Sequence, residues 1–161
     1  MKAILSLVVF LPSIAFSKAD LINDKKGVAL AGYDLVAYFK NAEKGLEEGL
    51  KGSKEYRVKH EGVDYHFSSE ENKKLFIDSP AKYLPAYGGW CAWAVAQGKS
   101  EVSVDYNTFI VKKDESGTLR LYLFYNSWGI NTLKKWQKKS TGAHEDLVRA
   151  ADKVWAKEKT K

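Results

Sequence analysis

Tyr83-Leu-Pro-Ala-Tyr-Gly-Gly-Trp-Cys-Ala-Trp-Ala-Val-Ala-Gln-Gly98 is the stretch around which the chain is organised. It holds the only cysteine, Cys91, and two of the five tryptophans, Trp90 and Trp93. From Trp90 to Gln97 there is no charge, although 29% of the chain is charged. A run this short does not span a bilayer. It predicts a buried helix, with Gly88 and Gly89 allowing close backbone approach at its start and Gly98 closing it.

Working outward toward the N-terminus, Ser68-Ser-Glu-Glu-Asn72 predicts the start of a helix. Either serine can cap it, acidic residues fill its first turn, and Leu75 and Phe76 give it an apolar face. Pro80 ends that helix or starts the next, and residues 81–87 form a short helical or turn segment. Residues 54–60 and 63–67 alternate around a Glu61-Gly62 turn, which predicts a hairpin with Val63, Tyr65 and Phe67 inward. His60 and His66 then fall near opposite ends of the hairpin, both on its polar side. Before it lie a short strand in 27–32, an apolar element in 33–39 and a charged surface loop in 41–53.

Toward the C-terminus, 99–106 is a polar connection. Residues 108–112 and 119–125 are strands rich in β-branched and aromatic side chains, joined by a turn at Asp114-Glu-Ser-Gly117. Residues 126–139 predict an amphipathic helix with Ile130, Leu133 and Trp136 on one face. Ser140-Thr-Gly142 breaks it, 143–157 predict a last helix, and 157–161 a charged tail. The pattern is that of a small single α+β domain over 27–156, with β-hairpins packed against several short helices.

At 161 residues with 45% hydrophobic and 13% aromatic content, the chain has material for one domain with a real core. Its first residues stand apart. Met1-Lys2 is positive, 3–14 is apolar, and small residues follow at Ala15, Ser17 and Ala19. That is the pattern of a signal peptide over 1–19, cleaved after Ser17 or Ala19, which predicts export to a periplasm or outside the cell. No cysteine stands near the cleavage site to carry a lipid, and no transmembrane segment is expected in the mature chain. The formal charge of +6 is spread out, except for Lys134-Lys135 and Lys138-Lys139. Without an arginine-rich arm this argues for loose attraction to anionic surfaces rather than nucleic-acid binding. A single cysteine cannot form an internal disulfide.

No phosphate-cradling glycine loop, nucleophile elbow or His-Glu-x-x-His helix is present, so the chain does not read as a hydrolase or a dinucleotide enzyme. Cys91 remains with three readings: a soft-metal ligand, a redox thiol activated by its place at a helix start, or a small buried hydrophobe. His66 and His60 can offer imidazole to copper or zinc. The plainer readings are a solvated His60 beside the turn and a hydrogen-bonded structural His66. His144 stands at a helix start, where a cation is disfavoured, and reads as structural or solvated. Asp34 caps a turn or lines a pocket with Tyr33. Tyr83, Tyr87, Trp90 and Trp93 form an aromatic pocket or simple core.

Several motifs in order resemble the exported YHS-domain proteins. They are Gly32-Tyr-Asp-Leu-Val-Ala-Tyr-Phe39, Lys51-Gly-Ser-Lys-Glu-Tyr56, Tyr65-His-Phe-Ser-Ser-Glu-Glu-Asn72, Asp78-Ser-Pro-Ala-Lys-Tyr83 and Tyr87-Gly-Gly-Trp-Cys-Ala-Trp93. The similarity continues through Leu119-Arg-Leu-Tyr-Leu-Phe-Tyr-Asn126 and Ala150-Ala-Asp-Lys-Val-Trp155. The resemblance implies a small metal-binding module, copper first. Where family members carry two thiols in a Phe-Cys-Ser-x-x-Cys run, this chain has Ser68 and Asn72. Cys91 matches the Gly-Gly-aromatic-Cys segment of the exported branch, in which some relatives carry selenocysteine. The expectation is therefore a binding protein rather than an enzyme, holding copper through Cys91 with His66 as helper. A thiol redox protein using Cys91, and a non-catalytic ligand or interaction module with a pocket near Tyr33, Asp34, Tyr87 and Trp90, are the alternatives.

Overall fold

The computed structural model describes residues 21–139 and 144–160. The leader expected over 1–19 and the break at 140–142 lie outside them. Asp24–Lys25 (β1) and Val28–Ala29 (β2) form a tight antiparallel pair, and β2 adds in parallel to Val63–Phe67 (β4). Ser53–His60 (β3) pairs antiparallel with β4 through the Glu61-Gly62 turn, giving a four-stranded sheet of order β1-β2-β4-β3. The apolar element expected in 33–39 is a helix, Leu35–Glu43 (α1), buried from Leu35 to Phe39. The loop that follows is correspondingly shorter than the 41–53 expected. Glu70–Asp78 (α2) starts where Ser69 accepts from the Asn72 amide, and Pro80 occupies the first turn of Pro80–Tyr83 (α3). The central stretch contributes Ala92–Ala96 (α4), a helix shorter than the uncharged run that predicted it.

Asp105–Lys113 (β5) and Leu119–Phe124 (β6) form the second hairpin. Its turn is closed by Asp114, whose carboxylate accepts from the Ser116 and Thr118 amides at 3.0 Å each. The helix expected over 126–139 begins only at Thr132. Asn126–Ser127 (β7) and Ile130–Asn131 (β8) instead form a miniature hairpin, and Thr132–Lys139 (α5) follows. Ile130 therefore sits on the exposed hairpin rather than on the helix face, while Trp136 is buried as expected. The hairpin tip is Trp128-Gly129, with φ of 52° and 75°. Positive φ at both central residues is the geometry of a two-residue hairpin turn. A tryptophan in that conformation costs about 1–2 kcal/mol relative to a residue that tolerates it. His144–Glu158 (α6) closes the fold.

The apolar side chains gather in two clusters. The first joins α1, α2 and the four-stranded sheet through Leu35, Tyr38, Phe67, Phe76 and their neighbours. The second joins α4, α5 and α6 through Val95, Trp136, Leu147, Ala151 and Trp155. Strand β6 serves both: Leu121 and Leu123 face the first, Tyr122 and Phe124 the second, and all four are fully buried. Each such side chain contributes roughly 1.5–3 kcal/mol of burial. Arg120 at its start makes a two-pronged contact with Asp152 of α6, at 3.0 and 2.9 Å. Among the described residues, both clusters draw on positions from Leu21 to Trp155.

The glycine pair performs the close approach expected of it. The Asn23 amide donates to the Gly88 carbonyl at 2.8 Å, and its side-chain amide donates to the Gly89 carbonyl at 3.0 Å. A methyl group at Gly88, where φ is +60°, would overlap the Leu21 carbonyl oxygen.

His144 is structural. Its ring is buried between α5 and α6, and its Nδ1 accepts from the Trp136 indole N–H at 3.0 Å. That bond requires Nδ1 to be unprotonated. Burial holds the imidazole pKa below its usual value, and Lys112 and Arg120 push the same way against the opposing pull of Glu145. A histidine depressed in the folded state stabilises fully above its unfolded pKa of about 6.5, and that stabilisation fades as the pH falls below it. The urea midpoint is therefore expected to fall between about pH 7 and about pH 5. A His144→Gln variant should lose distinctly less over the same interval, and parallel curves for the two proteins would contradict this assignment.

Candidate functional site

Cys91 lies at the seam between the clusters. Its backbone bridges to Leu123 of β6, and its amide donates to the Val102 carbonyl at 3.0 Å. The residue precedes α4, but its side chain makes no capping bond there. The sulfur turns instead toward β6 and α5. It accepts from the Tyr125 amide at 3.4 Å and lies 3.4 Å from Thr132 Oγ1. The Thr132 hydroxyl donates to the Tyr125 carbonyl at 2.8 Å, so the thiol is the donor toward Thr132 Oγ1. The residue is 0% exposed. A thiol that is sealed and hydrogen-bonded in both directions has the environment of a structural cysteine rather than of a reactive one.

The histidines are not beside it. Register pairs His60 with Val63 and Val58 with Tyr65. Because side chains alternate along a strand, His60 shares the inner face with Tyr56 and Val58, not the polar face expected for it. Its ring packs edge-on against Phe76 at 5.6 Å. His66 points from the opposite face into an open cleft of about 380 Å³ formed with Lys25, Val28, Ala31, Gly32, Lys51 and Lys54. Its ring makes no hydrogen bond to a described residue. Partial burial lowers its pKa. Lys54, Arg57 and Lys51 add to this, while Asp64 opposes it. The two imidazoles thus occupy opposite faces of the sheet, and the hydrogen bonds of the Cys91 sulfur go to Tyr125 and Thr132 rather than to either of them. Among the described residues no group of three or more His, Cys, Asp or Glu side chains is arranged to hold a metal ion.

The most developed polar centre is Asp34, which is fully buried. One carboxylate oxygen caps α1, accepting from Val36 and Ala37 at 2.9 and 3.0 Å. The other accepts from the Ser68 amide, the Ser68 hydroxyl and the Asn72 side chain at 2.7, 2.6 and 2.7 Å. Capping was expected of Asp34. The link to Ser68 and Asn72 was not, since both lie more than thirty positions from Asp34 along the chain. Those two are the positions at which the resemblance implies thiols, and here both are spent on the carboxylate. With five donors on two oxygens, the group is saturated and performs a structural task.

The remaining pocket candidates are dispersed. Tyr33 stacks on Tyr106 at 4.6 Å, with Lys51 Nζ 4.4 Å from its ring. Tyr87 is buried in the second cluster, with the Arg120 guanidinium 5.4 Å from its ring. Trp90 is half-buried and donates its indole N–H to the Leu21 carbonyl at 3.2 Å. None of the three lines the cleft that Trp155 helps to form. The aromatic wall of a cleft comes from Trp155 instead. Together with Leu21, Ile22, Leu84, Pro85 and Gly88 it encloses about 360 Å³, with Glu61 and Lys159 at the rim. Ile22 and Leu84 pack on the first cluster and Leu21 on the second, so this cleft opens where the two cores meet. Reading Trp155 as a helix-face residue concealed it, because the facing wall comes from residues some seventy and more positions earlier.

Comparison with protein-family models, curated proteins and solved structures gives no match to this chain.

Two outcomes follow from these environments. Asp34→Ala is expected to lower stability by roughly 3 kcal/mol, combining a lost helix cap with stranded buried donors, measured by urea denaturation. Cys91 should resist an aromatic disulfide reagent in the native protein and react only as fast as the protein unfolds. Rapid stoichiometric labelling under native conditions would contradict the sealed geometry.

Proposed function

We propose that this chain is an exported, non-catalytic binding module of YHS type that takes a small, largely apolar ligand. The observation that carries the reading is the cleft between the two clusters. It is concave, close to 360 Å³, walled by aliphatic side chains and one indole, and edged by one acid and one base. Small-ligand sites have this size and this proportion of apolar wall to polar rim. The leader-like pattern of residues 1–19 is the ground for export. Among the described residues no helix is long and apolar enough to cross a membrane.

The copper reading rests on the motif resemblance and on pairing Cys91 with an imidazole. Cu(I) binding at that sulfur would require the Thr132 and Tyr125 contacts to open and a histidine to be brought in from elsewhere. A redox cycle at Cys91 requires the same opening, together with an outside thiol to resolve it. The cleft asks for no such rearrangement.

The test uses an apolar fluorescent anion, anilinonaphthalene sulfonate, titrated into the protein while backbone and indole resonances are followed. Saturable shifts confined to Leu21, Ile22, Leu84, Gly88 and the Trp155 indole are expected. Shifts that avoid these residues would remove the reading. Stoichiometric tight Cu(I) binding that disappears in Cys91→Ser would replace it with the metal-binding one.

A further inference from the structure

The miniature hairpin β7–β8 exposes every residue from Asn126 to Ile130. Trp128 at its tip is 92% exposed and Ile130 beside it 45%. An indole held out in water on a protruding turn has no role in the core described above. The turn itself disfavours it. With φ of 52° at Trp128 and 75° at Gly129, the position suits asparagine or glycine, and a bulky residue is out of place there. The finger is also built firmly at its base. Asn126 donates its side-chain amide to Thr108 Oγ1 at 3.0 Å, and the Thr132 amide donates to the Tyr125 carbonyl at 2.9 Å. Asn131 Oδ1 caps the following helix by accepting from the Lys134 amide at 2.9 Å.

That following helix supplies the second half of the surface. In α5 Trp136 turns inward, while Lys134, Lys135, Lys138 and Lys139 are exposed. Between Glu115 and Glu145 the chain contains no acidic residue at all. An exposed tryptophan with an adjoining isoleucine, followed by the exposed ammonium groups of Lys134 and Lys135, matches an interface that is apolar beneath and anionic at its face. Tryptophan settles at the headgroup level of bilayers, lysine chains lie along apolar surface with their ammonium groups outward, and anionic headgroups attract them. Neither half binds firmly alone, and the two together are the usual requirement for reversible attachment.

We propose that the Trp128 finger and the lysine face of α5 form a docking surface for anionic lipid bilayers. The surface holds the folded domain at the membrane without spanning it. It involves none of the cleft-lining residues, so it stands or falls separately from the ligand reading.

The experiment uses the chain from Asp20 onward, which includes every described residue of both clusters, and sedimentation with vesicles. Mixed phosphatidylcholine–phosphatidylglycerol vesicles are compared with phosphatidylcholine alone. Binding to the mixed vesicles is expected, weakening as salt is added and at least about tenfold weaker without the anionic lipid. Trp128→Asn should reduce binding at least about tenfold while leaving the urea midpoint unchanged or higher, because asparagine suits the turn. The pair Lys134→Glu and Lys135→Glu should do the same, and the pair Lys25→Glu and Lys54→Glu, with an equal change of charge, should cost much less. Undiminished binding by Trp128→Asn, equal losses from the two charge-reversed pairs, or no binding by the unaltered chain would each overturn the proposal.

Discussion

Burial of both faces of one strand is the constraint on which the rest depends. Leu121 and Leu123 complete the core under the four-stranded sheet, while Tyr122 and Phe124 complete the core among the helices. Two small hydrophobic bodies thereby share a wall. Neither would bury enough surface alone to offset chain entropy comfortably. The Cys91 backbone is bridged to this strand at Leu123, and its sulfur takes the amide of Tyr125 just beyond the strand's end. The uncharged central stretch is thus the lining that lets the strand run through the middle of the protein with its polar groups satisfied. Removal of charge from residues 90–97 follows from that position, without any appeal to chemistry at the thiol.

A comparable economy operates at Asp34. A buried carboxylate is costly unless its oxygens are fully occupied. Here one oxygen organises the start of α1 and the other fixes the junction between β4 and α2 through Ser68 and Asn72. The carboxylate therefore sets the distance and angle between two helices of the first cluster. Tyr38 contributes a second polar tie on the same helix, donating its hydroxyl to the Tyr106 carbonyl at 2.7 Å. Burial pushes that phenol well above its ordinary pKa, and it remains a neutral donor. An exposed ion pair, Lys40 with Glu71 at 2.7 Å, also joins α1 to α2, but pairs at the surface add little beside these buried bonds.

Much of the fold was legible because local signals were strong. The alternation in 63–67, the Ser69 cap with its two glutamates, and the Asp114 turn each have a direct physical cause within a few residues. The failures are equally specific. His60 was placed outside although it shares parity with Tyr56 and Val58. Strict counting along the strand would have put it inside, and its neighbouring turn misled. The near-continuous apolar run in 121–124 was itself a sign of a strand covered on both faces, but alternation alone does not reveal which cores it divides. The β7–β8 hairpin was hidden because a Trp-Gly pair is an unusual turn and Ile130 happened to fall at helical spacing from Leu133. The candidate site was less legible still. Its walls are drawn from residues 21–22, 84–88 and 155, and only the folded chain brings them together.

The bonds from Asn23 to the glycine pair carry a consequence for the order of events when the chain is made. The side-chain bond to Gly89 spans 66 positions, and that of the Trp90 indole to Leu21 spans 69. The earliest part of the domain therefore has no settled place until a much later part has been synthesised, and the shared strand lies later again. Contacts of such high sequence separation slow folding. A nascent chain of this kind fixes its first described residues only after residues 88–90 have emerged, so the start of the domain locks into place well after it has been made.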